Sequence, residues 1–91
     1  MTVSEKEAVK RAQADLAGRL GVSEGEVTEQ SVERADFPDA ALGAPLDDEM
    51  SAQMITPGLR IRLSAKGKTY EYRANRDQLR LVNFRGANYI I

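Results

Sequence analysis

The chain has 91 residues, 30% of them charged, a formal net charge of −1, and neither cysteine nor histidine. That length allows one domain, spanning 1–91, with a thin core; the missing cysteine excludes disulfides and thiol nucleophiles, and the missing histidine removes the commonest metal ligand and near-neutral general base. The charge is unevenly spread, since residues 1–55 hold 5 Lys/Arg against 12 Asp/Glu, net −7, and residues 56–91 hold 8 against 2, net +6.

Glu5, Lys6, Glu7 and Lys10 leave no room for an apolar leader core, and no stretch approaches the roughly 20 apolar residues of a membrane span. The expected location is cytoplasmic, with no membrane partner. Ser4 and Glu7 stand at capping-box spacing, which starts a helix. Val9, Ala12, Leu16 and Leu20 then form one apolar stripe, and Gly21 supplies a left-handed stop. Ser23 and Glu26, flanked by Val22 and Val27, predict a second cap on a single helical turn.

Thr28 to Phe37 predicts a strand, although its alternation is imperfect. The segment Phe37 to Ser51, with two prolines, a glycine and the acids Asp47, Asp48 and Glu49, predicts the chain's long loop, with or without a helical turn. Ala52 to Ile55 predicts a short strand, and Thr56-Pro57-Gly58-Leu59 a type II turn or strand break with Gly58 at positive φ.

The strongest local signal is the hairpin that follows. Folding it about Lys66-Gly67 sets Leu63 opposite Tyr70, Ile61 opposite Tyr72 and Leu59 opposite Ala74, all apolar, and Arg62 opposite Glu71 on the other face. A three-residue loop would mix the two faces. Asn75 to Gln78 connects to a further strand, Leu79 to Arg85, whose apolar residues fall on both faces. Either the sheet is partly covered on its second face, or a bulge shifts the alternation. The apolar tail Gly86 to Ile91 packs down or pairs with a partner.

Three sets of motifs stand in order: Phe37-Pro38-Asp39-Ala40-Ala41-Leu42-Gly43-Ala44-Pro45, then Gln53-Met54-Ile55-Thr56-Pro57-Gly58-Leu59-Arg60-Ile61, then Gly67-Lys68-Thr69-Tyr70-Glu71-Tyr72. Together they resemble an uncharacterised family of short bacterial domains, some parts of secreted proteins, with aromatic-Pro-Asp-x-x-Leu-Gly-Cys-Pro, Gln-x-x-Thr-Pro-Gly-x-Arg-Ile and Gly-x-x-Tyr-x-Tyr. The likeness covers about residues 20 to 73, including Leu20-Gly21-Val22-Ser23. It implies an intact domain and no particular activity. Ala44 stands where the family has cysteine, so no thiol role carries over, and Asp47-Asp48 stand where relatives have Pro-Gly.

Asp39, Asp47, Asp48 and Glu49 are hard oxygen ligands by type, yet their spacing fits no EF-hand, and three adjacent acids converge poorly on one ion. They predict a solvated acidic loop or the first turn of a short helix, where negative charge suits the dipole, and no metal. Catalysis would have to run on carboxylates, Lys, Tyr, Ser or Thr, and no nucleophile-base-orienter set or glycine-rich phosphate loop is visible, so neither an enzyme nor a cofactor is expected. Arg60, Arg62, Arg73 and Arg80 lie on the polar face of the predicted sheet, and Arg60 opposite Arg73 pairs like charges. An acid from the N-terminal half or an anionic ligand must lie between them.

The expected architecture is α+β: an N-terminal amphipathic helix packed on one face of a three- or four-stranded antiparallel sheet, with Leu16, Leu20, Ile61, Leu63, Tyr70, Tyr72 and Leu81 in the core and an arginine-rich second face open. The expected function is a small non-enzymatic protein-interaction module using the long loop, Pro38, Asp39, Leu42, Gly43 and Pro45 included, together with a sheet edge. An anion or nucleic-acid binder using the arginine face is the alternative, and a loop-presenting enzyme inhibitor a further one. Tyr70 and Tyr72 face the core in this scheme, leaving no aromatic platform for nucleic-acid bases.

Overall fold

A computed structural model describes residues 5–91, so the Ser4 half of the first capping box lies outside the described residues. Helix α1, Glu5–Leu20, buries Ala8, Val9, Ala12, Leu16 and Ala17 on one stripe. Gly21 adopts φ 68°, and the Val22 amide donates to the Ala17 carbonyl at 3.0 Å, closing the helix with a Schellman bond. The second cap forms over a single 3₁₀ turn, with the Ser23 amide donating to Glu26 Oε2 at 2.9 Å.

Five antiparallel strands follow in the order β1-β2-β3-β4-β5: β1 Thr28–Phe37, β2 Thr56–Ala65, β3 Lys68–Ala74, β4 Leu79–Phe84 and β5 Ala87–Ile90. The β2–β3 register is the one the sequence predicts, with Leu63 opposite Tyr70, Ile61 opposite Tyr72 and Arg60 opposite Arg73. Lys66 and Gly67 both take positive φ, 51° and 76°, as a type I′ turn requires. The three or four strands expected become five because Arg85 and Gly86, at φ 52° and 87°, form a second turn of the same kind and fold the apolar tail back as β5.

Two further expectations are corrected. Ala52 to Ile55 is not a strand: β1 is used up by its pairing with Thr56 to Ser64, so these residues run past the end of the sheet, tied to the chain after β1 by the Ala40 amide donating to the Ala52 carbonyl at 3.0 Å rather than by a ladder. Thr56 to Leu59 is not a turn but the start of β2, with Pro57 opposite Asp36 and Gly58 opposite Ala35. Gly58 does not have the positive φ expected of it. Its requirement is a close approach instead: a Cβ there would collide with the Ala74 carbonyl oxygen and lie 3.2 Å from Phe37 Cε2.

The core sits between α1 and one sheet face. Leu16, Ile61, Leu63, Tyr72 and Leu81 are fully buried, while Leu20 and Tyr70 pack against them half-buried. The Tyr72 hydroxyl donates to Asp15 Oδ2 at 2.7 Å, and Arg19 Nε donates to the same oxygen at 2.8 Å. Burial first, then the Asp15 carboxylate, raises the Tyr72 pKa well above its ordinary value near 10.

The second face is not left open as expected. Residues 38–55 fold back across its lower half, and Phe37, Ala41, Leu42 and Ala44 are buried outside the helix-side core. Both explanations for the apolar pattern of β4 hold, since the loop covers that face and a bulge between Leu81 and Phe84, with Asn83 at φ 51°, shifts the alternation.

Candidate interaction surface

The arginines predicted to form a binding face form a cross-strand row, Arg60 opposite Arg73 and Arg73 opposite Arg80. Like charges so placed repel, and the fold supplies carboxylates and carbonyls between them. The acid between Arg60 and Arg73 is not from the N-terminal half, as expected, but Glu71 of the same strand as Arg73, shared by three guanidinium groups: Arg73 Nε at 2.7 Å, Arg60 Nε at 3.4 Å and Arg62 Nε at 3.7 Å. The acids of the N-terminal half take the outer members, Glu33 pairing Arg62 at 3.3 Å and Glu49 pairing Arg80. Four guanidinium groups thus face three carboxylates.

Arg80 is only 5% exposed. It donates two parallel bonds to Glu49, Nη1 to Oε1 at 2.5 Å and Nη2 to Oε2 at 2.6 Å, with further bonds to Gln78 Oε1 at 2.6 Å and the Ala44 carbonyl at 3.2 Å. This is the bidentate geometry that favours Arg with a carboxylate. The Arg80 hydrogen bonds and the Leu46 amide hold the Glu49 pKa down at about 2. Glu49 is therefore a structural partner rather than part of a solvated acidic triplet, whereas Asp47 and Asp48 are exposed.

The loop is fastened along its backbone. Its carbonyls at Ala40, Leu42, Ala44 and Pro45 accept from Gln78 Nε2, Arg73 Nη1, Arg80 Nη1 and Asn88 Nδ2. Asp39 Oδ1 accepts from the Ala41 and Gly43 amides at 2.9 and 3.0 Å, forming the first bend. Leu42 is buried at φ 58°, and Gly43 at φ 67° lies where a Cβ would meet Arg73 Nη1 at 2.9 Å and Pro38 Cδ at 3.2 Å. The guanidinium of Arg73 lies 5.1 Å and that of Arg60 5.7 Å from the Phe37 ring centroid.

Of the residues singled out from sequence, Asp39, Leu42, Gly43, Arg60, Arg73 and Arg80 are brought together as this fastening, with Arg62 at its margin. Pro38 and Pro45 are exposed. Exposed apolar surface lies just beyond, where Met50 is 97%, Met54 58% and Ile55 72% exposed. Expecting a strand over 52–55 hid this patch; the signal available was a Met-Ser-Ala-Gln-Met-Ile run placed outside any possible ladder. Strand β1 leaves its outer edge unpaired alongside. Among the described residues no group of His, Cys, Asp or Glu has metal-site geometry, and no helix is long and apolar enough to cross a membrane.

No curated protein and no solved structure matches the chain. A family model, described as a domain of unknown function, DUF8738, matches residues 9–82, which contains the whole of the likeness seen over residues 20 to 73. Its match runs from the buried stripe of α1 through the fastened loop to β4, and the chain belongs to this DUF8738 family.

Proposed function

We propose that the chain is a small non-enzymatic interaction module that docks on another protein through the tail of its long loop and the neighbouring sheet edge. The observation that carries this reading is the exposure of Met50, Met54 and Ile55 within six residues of irregular backbone, held in place by the anchored segment before them. Apolar side chains concentrated on a rigid support are the usual composition of a contact surface. The arginine row lends less support to an anion binder, because Arg60, Arg73 and Arg80 already have partners. The inhibitor reading is weakened in the same way, since Phe37 and Leu42 are buried under the loop rather than offered by it.

The test is capture of partners from the native host with the wild type and with a Met50→Ser, Met54→Ser, Ile55→Ser variant. Substituting exposed positions leaves the fold intact, so loss of a discrete partner supports the reading. Retention of every captured protein by the variant overturns it.

A further inference from the structure

Two concave surfaces share Arg34, Pro57 and Gly58, and both flank the C-terminal half of β1. One, about 490 Å³, has apolar walls from Ala8, Leu59 and Ala74, with Glu5 and Asp77 at its rim. The other, about 340 Å³, is lined by Arg34, Ala35, Asp36, Pro57 and Gly58. The first groove lies beside the opening turn of α1, which contributes Glu5 and Ala8 to it.

Strand β1 is an edge strand of ten residues. A bulge at Gln30, between Glu29 and Ser31, breaks the register of its first part, and bulges deter further pairing. From Ser31 to Phe37 the register with β2 is unbroken, so this half presents a regular row of unpaired amides and carbonyls. Val32, Arg34 and Asp36 alternate on the helix side, where Val32 faces Ile61 and Arg34 faces Leu59. The Arg34 and Asp36 side chains are exposed and make no ion pair or hydrogen bond among the described residues. The nearby Arg76 and Asp77 are 4.0 Å apart and exposed, a pair worth little.

From this arrangement we infer that residues 31–37 receive an extended segment of a partner protein as a sixth strand, with an acidic side chain across from Arg34, a basic one across from Asp36, and an apolar one across from Val32, which packs against the helix-side core. Main-chain bonds to the free edge supply affinity. The order of charges supplies register and specificity, because reversing it sets like charges opposite each other. The inference rests on the interaction-module reading and names the partner's chemistry.

The test selects short linear peptides from a displayed library on the full chain and on an Arg34→Asp, Asp36→Arg variant, in which two exposed side chains trade charge. The wild type is expected to enrich extended sequences bearing an acid and a base two positions apart, and the variant the reverse order. The best wild-type peptide should bind the variant roughly tenfold more weakly, and amide shifts on binding should map to residues 31–37. No enrichment, identical peptides for both proteins, or shifts confined to residues 50–55 would overturn the inference. So would a concentration-dependent dimer of the free protein abolished by the charge swap, which would make a second copy the occupant. If the swap leaves native partners bound while the Met50, Met54, Ile55 variant loses them, this inference fails and the interaction reading stands.

Discussion

The fate of single residues depends on which backbone atoms they meet. Gly58 was legible as a special position and misread in kind, because a Pro-Gly order suggests a turn, whereas the glycine is needed where β2 passes the Ala74 carbonyl. We predict that Gly58→Ala destabilises by about 1 to 3 kcal/mol through overpacking rather than through φ; an unchanged midpoint of thermal unfolding would refute this. Glu49 was invisible as a partner of Arg80, since 31 residues separate them and an acidic triplet resembles a solvated loop. Its pKa falls from 4.5 to about 2 on folding. The unfolded chain therefore binds the proton first, and the stability contributed is complete above about pH 4.5 and lost as pH falls toward 2. Glu49→Gln should lower stability by about 1 to 3 kcal/mol at pH 7, because Arg80 stays buried with a weaker acceptor, and should flatten the acid limb of a plot of unfolding midpoint against pH. A parallel acid limb in both proteins would assign the loss to other carboxylates.

At the scale of elements, what was legible was local. The β2–β3 hairpin could be read in full because a period of two admits one register that keeps Leu59, Ile61 and Leu63 with Ala74, Tyr72 and Tyr70. Helix α1 and its stop at Gly21 were equally readable, being set by a period of 3.6 and one left-handed residue. The last hairpin was missed because its turn, like Lys66-Gly67, lacks the Asn or Asp that usually marks the type, and here no clean alternation compensates, since the Asn83 bulge disguises the pattern before it. The buried face of the loop was missed because its contacts are side chain to backbone, which no periodicity reports. Since Leu63 is fully buried opposite Tyr70, we predict that Leu63→Ala costs about 2 to 5 kcal/mol in chemical denaturation. A loss below 1 kcal/mol would mean that the core collapses onto the gap.

Over the whole molecule the charge split is met partly between the halves, at the outer arginines, while Glu71 of the basic half serves Arg60 and Arg73. The −7 and +6 segments face each other through Glu33 and Arg62, Glu49 and Arg80, and Asp15 lies under Tyr72. An arginine row in which every member already has an internal carboxylate partner predicts a specific solution behaviour. Labelled single-stranded nucleic acid titrated at low and moderate salt should show no salt-sensitive binding that depends on Arg60 or Arg73. Salt-sensitive binding weakened by both Arg60→Ala and Arg73→Ala would show that the row exchanges its internal partners for phosphates, and would favour the anion binder.

One connection differs from all the others in length. Strands β2 to β5 follow one another through links of two or four residues, whereas β1 reaches β2 across residues 38–55. Closing that loop costs about 1 kcal/mol more chain entropy than closing the four-residue link, and its contacts return that only after Arg73 and Arg80 are already in place on the sheet. The order of assembly follows: the four-stranded meander forms in the rate-limiting step, and β1 with its overlying loop docks afterwards. In stopped-flow measurements Leu63→Ala should slow folding, while Leu42→Ala should chiefly speed unfolding. The reverse pattern would place the loop in the nucleus. A docking step that comes last is also the first to reverse, so slow amide exchange should persist longest in β2 and β3, and the Met50–Ile55 surface should be released before the core opens.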